Sequence, residues 1–150
     1  MSTDKEFVLE CMRRQGRAQA ESLQVKAGKM NGTELNEQSD YIPAFSSAVK
    51  TQCMKDRKVG FVCRSSAGRV VRLVQPYDSD TFPAEPEDLP AQWGFAWSTD
   101  PAKALPFVAL ATSPYNKGDC CTYGGATHRS KINGNVHSPE AYPQGWDLVK

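Results

Sequence analysis

The chain has little of what marks several common protein classes. Its formal net charge is only +1, and a surface for nucleic acid needs clustered lysine and arginine, so nucleic acid is not an expected partner. No apolar run approaches the roughly 20 residues that cross a bilayer, so no membrane contact is expected. The opening stretch MSTDKEFVLECMRRQG lacks the basic-then-apolar order of a signal peptide, which predicts synthesis and use without secretion machinery.

The number and spacing of the cysteines do not match those of disulfide-bonded or zinc-binding proteins. The cysteines number five, an odd count, and no Cys-x-x-Cys occurs among them. A disulfide framework or a zinc ribbon is therefore not expected, and the sequence predicts no metal and no cofactor. In a reducing compartment we expect partly buried, hydrophobic roles for all five: Cys11, Cys53, Cys63, Cys120 and Cys121.

Residues 1–30 form one predicted helix with a narrow apolar seam. Thr3 and Glu6 have the spacing of a capping box, and Gly32 is a stop signal. A helix with so narrow an apolar seam is only marginally stable alone in water. Two alternatives follow: the helix packs on copies of itself or on another subunit, or it covers the β-region as an ordinary amphipathic helix. The seam residues approximate a spacing of three to four, interrupted around Gly16, and they are Leu9, Met12, Ala20, Leu23, Ala27 and Met30.

The next segment, residues 31–80, carries the signals of a small β module. Residues 59–64 and 69–75 are rich in valine and flank the turn formers at 65–68, which favours a half-buried pair of strands. Pro76 ends the second strand because proline cannot donate to a ladder.

An acidic, proline-rich stretch follows, and its core, residues 81–92, is the predicted connector. The segment PYDSDTFPAEPEDLPAQ contains five acids, four prolines and no base. This composition favours an extended, solvated connector between two units. A long surface loop within one domain is the alternative.

The last segment, residues 93–150, centres on a second predicted hairpin. Residues 120–123 and 126–130 flank Gly124 and Gly125, and two such glycines between β-like runs favour a turn with positive φ.

Two further signals lie before that hairpin. Asp100 followed by Pro101 predicts a single helical turn, and residues 107–111 are a candidate strand. The chain as a whole is therefore predicted to be α+β and mainly β, with an N-terminal helix followed by one or two small antiparallel sheets. A weak similarity between the two hairpins favours two sheets in tandem.

The C-terminal segment resembles a known module. The stretch YNKGDCCTYGGATHRS, followed by NVHSPEAYPQGW, is similar to the chitinase-type, chitin-binding carbohydrate-binding module. Together with the helix and the segment VGFVCRSSAGRVVRLVQPYDSDTF, the chain resembles small tail-associated proteins of bacteriophages and prophages. Cys121 stands where the module usually has valine. The matching positions are Tyr115, Gly118, Asp119, Tyr123, Gly125 and Trp146.

The resemblance implies a core and a sugar platform within one small unit. The expected structural core is Tyr115, Asp119, Tyr123 and Trp146, because a unit of this size has few other large side chains. Rings can stack on the C–H faces of sugars, and His128 and His137 stand where the module usually carries aromatics. The candidate glycan-binding residues are Trp97, Tyr142, His128, His137, Arg129 and Asn135.

No catalytic residue is predicted, and we expect the chain not to be an enzyme. Cys121 could be paired on paper with His128 or His137 as a thiol and base, but no oxyanion-hole sequence accompanies them. A zinc site that adds Cys120 fails because adjacent strand residues point to opposite faces.

The sequence therefore predicts a non-enzymatic structural component of a phage or prophage particle. We expect it in the tail, baseplate or fibre of the virion, assembled in the bacterial cytoplasm. The expected partners are other particle proteins, copies of itself through the helix, with a trimer as one option, and cell-wall polysaccharide. A stand-alone carbohydrate-binding protein and a capsid decoration protein are the open alternatives.

Overall fold

The structure, a computed structural model, describes residues 2–150, with side chains from residue 4 onward. Thr3 of the predicted capping box therefore lies outside the described side chains. Short 3-10 turns connect several elements. In chain order the helices and strands are α1 (Ser2–Lys26), α2 (Gly32–Glu37), α3 (Phe45–Thr51), β1 (Val62–Arg64), β2 (Val70–Leu73), β3 (Trp93–Ala96), β4 (Leu105–Pro106), β5 (Cys120–Tyr123), β6 (Ala126–Ser130) and β7 (Trp146–Val149).

The predicted α+β fold, an N-terminal helix followed by two small sheets, is confirmed. About 37% of the chain is helical and 20% is strand, so helix outweighs strand rather than the reverse. Part of this helix content lies in α2 and α3, which are in the segment assigned to a β module, and part lies in the short 3-10 turns. Helices of six and seven residues are too short to show a helical period in the sequence.

The two halves of α1 have different surroundings. In the second half, Leu23 is buried against the first sheet, as is Ala27 just after the end of α1. The Gln24 amide both donates to Val62 O at 2.7 Å and accepts from Val62 N at 3.0 Å. From residue 4 to residue 19 no described side chain is buried. The predicted seam is therefore covered only in its second half. Within the described part of the chain, no helix is both long and apolar enough to cross a membrane.

Gly32 does not end the first helix, contrary to the prediction. α1 ends at Lys26 and passes into a 3-10 turn, Ala27–Lys29. Gly32 instead begins α2, whose N-terminus is capped by the Asn31 side chain. A Cβ at position 32 would overlap the backbone carbonyl oxygen of Trp97, so glycine is needed for close approach of two backbone segments.

The first sheet has the order β1-β2-β3 and is antiparallel throughout. The predicted hairpin is confirmed, with Cys63 opposite Val71. Alternate residues serve two faces, as the period of a strand requires. One face joins α1 and α2 through a cluster that contains Val62 and Val70. The other face joins α3 through a cluster of Phe45, Ala48, Met54, Cys63, Val71, Leu73 and Trp93.

The third strand of this sheet begins at residue 93, beyond the predicted connector. β3 pairs with β2. Its first residue, Trp93, is fully buried in the core of the first sheet. The boundary predicted at residue 93 therefore cuts this sheet. The connector, residues 81–92, also packs on the body: Pro86 is buried, and Glu87 accepts a hydrogen bond from Arg69 at 3.1 Å.

The second sheet has the order β4-β5-β6-β7, with β4 parallel to β5 and the other pairs antiparallel. The hairpin of β5 and β6 has the predicted bounds. Gly124 and Gly125 turn it with φ values of +59° and +79°, which confirms the predicted positive φ at both glycines.

The segment before this hairpin was predicted in part. A helical turn at Pro101 is confirmed, since the Asp100 side chain accepts from Ala102 N at 3.0 Å. The candidate strand at 107–111 is wrong, because the strand β4 precedes it and the ladder ends once Phe107 N has donated to Thr122 O at 2.9 Å. The chain then leaves the sheet.

Candidate functional site

A column of aromatic rings joins the two sheets. Trp97 lies parallel to Tyr115, with ring centroids 4.3 Å apart and 13° between the planes. On its other side Trp97 stacks on Phe95 at 5.6 Å, and its Nε1 donates to Ser113 O at 3.0 Å. Trp97 is a half-buried ring that packs between others. Trp97 is therefore stacked on two rings of its own chain and is less open than a displayed ring, and its contact with a glycan stays a prediction.

Tyr115 and Trp146 lie at the centre of the second unit, as a core role requires. They are 1% and 6% exposed and meet edge to face at 5.4 Å. The Trp146 Nε1 donates to His137 O at 2.9 Å, and the Tyr115 backbone exchanges two hydrogen bonds with Asn135. Burial raises the pKa of Tyr115, so the ring stays uncharged. These contacts close the loop at 131–145 over the sheet.

Asn135 is a structural residue rather than a ligand contact. It is 0% exposed, its Nδ2 donates to Ser130 Oγ at 3.1 Å and Gly145 O at 3.2 Å, and its Oδ1 accepts from His137 N at 3.2 Å. A buried amide with its hydrogen bonds made inside the chain has nothing left to offer a sugar. The sequence did not indicate this role, because asparagine is mostly exposed in proteins.

The exposed rings of the second unit lie on and beside one loop. His137 and Tyr142 face each other with centroids 5.7 Å apart and 59° between the planes. The Tyr123 hydroxyl donates to Glu140 Oε2 at 2.6 Å, and this hydrogen bond raises the pKa of Tyr123. We term Tyr123, His137, Glu140 and Tyr142 the ring patch.

The backbone holds Tyr142 in place within the ring patch. A Cβ at position 145 would come within 2.6 Å of the Tyr142 ring, so Gly145 allows that ring to lie against the main chain. The Tyr142 N–H also donates to Ser138 O at 2.9 Å. Tyr142 nevertheless remains 39% exposed. A ring fixed on one side and open on the other is suited to stacking against a ligand.

The remaining two candidates, His128 and Arg129, point to opposite faces of β6. His128 lies opposite Cys121, so it shares a sheet face with Tyr123, two residues along β5. Arg129 lies opposite Cys120 on the other face. Both are half-buried. The structure therefore brings His137 and Tyr142 together at the surface and places Arg129 away from them.

A second polar cluster lies outside this unit. The candidate ligand atoms of Cys53, Asp78 and Asp80 all lie within 4.8 Å of one another. Ser79 Oγ donates to Cys53 Sγ at 3.4 Å, and this hydrogen bond lowers the pKa of the Cys53 thiol. The Asp78 carboxylate accepts from Asp80 N at 3.0 Å and from Thr81 Oγ1 at 3.0 Å. The cluster is part of a hydrogen-bonded loop. The sequence does not indicate it, because Cys53 and Asp78 are 25 residues apart.

No protein-family model matches the chain, and no characterised protein matches it significantly. The resemblance to a carbohydrate-binding module therefore rests on the motif residues. In the structure these have local roles: Gly118 and Gly125 take φ values of +99° and +79°, and the Asp119 carboxylate accepts from Asn116 N at 2.8 Å. The motif thus shapes the turns that lead into and out of β5.

Proposed function

We propose that the chain is a non-enzymatic structural component of a phage or prophage particle, held to its neighbours by α1. The observation that carries this proposal is the free half of α1, residues 4–19, with Phe7 70% and Met12 64% exposed. A projecting helix is marginal in water without a partner, and clustered exposed apolar groups mark interaction sites.

The body of the protein holds this helix in a fixed direction. Arg72 Nη2 donates to Ala27 O at 2.7 Å and to Met30 O at 3.3 Å, just beyond the end of α1. Leu23 is buried against the first sheet. A helix clamped at one end and free at the other presents its exposed residues at a defined place, which suits assembly into a larger particle.

Incorporation into particles tests this proposal. Purified particles from the strain that carries the gene should contain the chain on immunoblots. The variant Phe7→Ser should be incorporated at least about tenfold less, because burying one phenylalanine contributes about 2 kcal/mol. Phe82→Ser is the matched control, since Phe82 is 56% exposed but lies in a distant loop. Absence of the unchanged chain from particles would overturn the proposal.

A contact with host cell-surface glycan is a second candidate function, favoured by the ring patch. Tyr142 offers a ring that is 39% exposed, and the Glu140 carboxylate, two residues earlier in the chain, is a hydrogen-bond acceptor that already binds the Tyr123 hydroxyl. Sugars combine C–H faces that stack on rings with hydroxyls that donate to such acceptors. The patch is therefore the part of the second unit best suited to carbohydrate.

Retention on purified cell-wall sacculi and on chitin beads tests the glycan contact. We expect the unchanged chain to be retained, Tyr142→Ala to be retained at least about tenfold less, and Phe82→Ala to match the unchanged chain. Equal retention of Tyr142→Ala would refute the patch. Retention on glycan combined with absence from particles would favour the stand-alone carbohydrate-binding protein. Labelling of heads rather than tails would favour the capsid decoration protein.

A further inference from the structure

A groove runs beside α1 from Arg13 to Gln24. It encloses about 820 Å³ between α1 on one side and residues 40–43, Arg57, Phe61 and Arg64 on the other. Its α1 residues recur at intervals of three and four and so share one helix face. They are Arg13, Gly16, Arg17, Ala20, Glu21 and Gln24.

The groove is positively charged and has an apolar floor. Four arginines line it, against the two acids Glu21 and Asp40. The Arg57 guanidinium lies 4.3 Å from the centroid of the Phe61 ring, and its buried Nε makes no hydrogen bond to any described atom. The Arg64 Nε donates a hydrogen bond to Ile42 O at 2.8 Å. An occupant that fits must combine acidic groups with apolar side chains.

The free half of α1 carries such a combination. Between residues 4 and 12 the chain has three acids and one base. With 3.6 residues per turn, Glu6 and Glu10 lie on the same helix face as Arg13 and Arg17. Along that face the charges read acid, acid, base, base, and the two acids belong to the half that projects from the body.

This order of charges is self-complementary only in an antiparallel pair. In a parallel, in-register pair each charge would meet its own copy. A two-fold axis that crosses α1 between residues 11 and 12 places Glu6 opposite Arg17 and Glu10 opposite Arg13 of the second copy, in both halves of the pair. We propose that two copies of this chain associate in this way, so that the free half of each α1 lies in the groove of the other.

The apolar seam supports the same arrangement. Leu9 and Met12 are 43% and 64% exposed, whereas Leu23 and Ala27 of the same seam are buried on the body. In the pair, Leu9 and Met12 lie close to the two-fold axis, opposite residues 14 and 11 of the second copy, and α1 of that copy covers them there. In this register residues 4–10 lie beside residues 13–19 of the second copy, which form the first part of the groove's α1 side, and each segment spans about 9 Å.

The ion pairs within a single chain do not oppose the association. Glu10 lies 3.9 Å from Arg13, 3.3 Å from Arg14 and 3.5 Å from Arg17, and all of these side chains are largely exposed. Exposed pairs on one helix are worth little. Exchanging them for pairs between copies, at the edge of an apolar contact, therefore costs little.

Charge reversal on the full chain tests the proposal, with the dimer dissociation constant measured by sedimentation. The unchanged chain should be a dimer. Glu6→Lys with Glu10→Lys, and separately Arg13→Glu with Arg17→Glu, should each weaken dimerisation at least about tenfold because like charges then meet. The fourfold variant should regain the dimer, and an equimolar mixture of the two double variants should form a heterodimer. Phe82→Ser is the control, since Phe82 is 56% exposed and lies outside α1.

The outcomes separate this inference from the function on which it rests. A monomeric or trimeric unchanged chain, or a fourfold variant that stays monomeric, overturns the antiparallel pair. Circular dichroism of each variant checks that helix content is unchanged, as expected for exposed positions. A monomer that is still found in purified particles would sink the pairing and leave the proposed function standing. A dimer absent from particles would do the reverse.

Discussion

The rings of Trp97 and Tyr115 lie face to face, 4.3 Å apart and 13° from parallel. Trp97 directly follows the last strand of the first sheet, and Tyr115 precedes the hairpin of the second. Beside them, Cys120 N donates to Ser98 O at 2.9 Å. The two sheets are therefore parts of one folded body, and a substitution at this contact should lower the stability of both.

Replacing Trp97 by alanine should weaken both sheets together. Removal of a large ring that is packed on both faces typically costs about 3 kcal/mol of the free energy of unfolding. Urea unfolding followed by fluorescence and by circular dichroism should show one shifted transition. Phe82→Ala, at a 56% exposed position, should stay within about 0.5 kcal/mol of the unchanged chain. Two separate transitions in the unchanged chain would contradict the shared core.

The sequence predicts the hairpins well because their signals are local. The strands around Gly124 and Gly125 have the bounds that the sequence indicates, since positive φ at a two-residue turn fixes the register of its neighbours. The role of Trp97 could not be predicted in this way. Trp97 lies between the end of β3 and a loop, whereas its packing partner Tyr115 is 18 residues away, and only the folded chain brings the two rings together.

In the candidate site, too, local patterns were predicted well and long-range contacts were not. The expected core was Tyr115, Asp119, Tyr123 and Trp146. Tyr115 and Trp146 are buried, whereas Asp119 and Tyr123 are only half-buried. Asn135 was expected at the surface because of its polarity, but a backbone exchange with Tyr115 places it inside. Gly32 was predicted to end α1, whereas glycine is needed at this position because the backbone of Trp97 lies against it. Local patterns indicate element type, and long-range contacts decide which side chains are displayed.

Gly32→Ala should be strongly destabilising, whereas Gly28→Ala should not. A Cβ at position 32 would overlap the Trp97 carbonyl, which is backbone and cannot give way cheaply, but a Cβ at position 28 would meet nothing within 4 Å. We expect a loss of about 2 kcal/mol at position 32 and a change within about 1 kcal/mol at position 28. Melting temperatures should then fall by about 4–8 °C in the first variant only. Equal melting temperatures would refute the close approach.

Glu87→Gln should destabilise the chain far more than Lys131→Gln. Arg69 Nη1 lies 3.1 Å from Glu87 Oε1, with side chains only 10% and 18% exposed, so loss of one partner leaves a charge without compensation inside the protein. Such losses cost about 3 kcal/mol. The Lys131–Asp147 pair is 49% and 64% exposed and should contribute less than about 1 kcal/mol.

Urea unfolding in low and high salt measures both changes. The effect of Glu87→Gln should persist in high salt, because a buried pair is screened much less than a surface pair. Equal effects of the two substitutions would show that the acidic segment at residues 81–92 is a solvated connector rather than part of the body.

Stability should fall steeply above about pH 9 because three thiols are buried, those of Cys63, Cys120 and Cys121. Burial raises the pKa of Cys63 and of Cys121 to about 12 in each case, whereas a thiol in an unfolded chain ionises near about 8.5. Between these values the folded chain holds protons that the unfolded chain releases. The free energy of unfolding therefore drops as pH rises through this window, by up to about 1.4 kcal/mol per pH unit for each thiol.

A variant with Cys63→Ala and Cys121→Ala separates the thiols from the tyrosines, which titrate in the same range. Burial also raises the pKa of Tyr77 and Tyr115, and both chains keep these residues. We expect the variant to be less stable at pH 8, because it loses buried sulfur atoms, yet to show a shallower decline between pH values of about 9 and 11. Urea unfolding at several pH values measures both slopes. Parallel slopes would mean that the thiols are ionised as easily in the folded protein as outside it, which the 0% exposure of both side chains opposes.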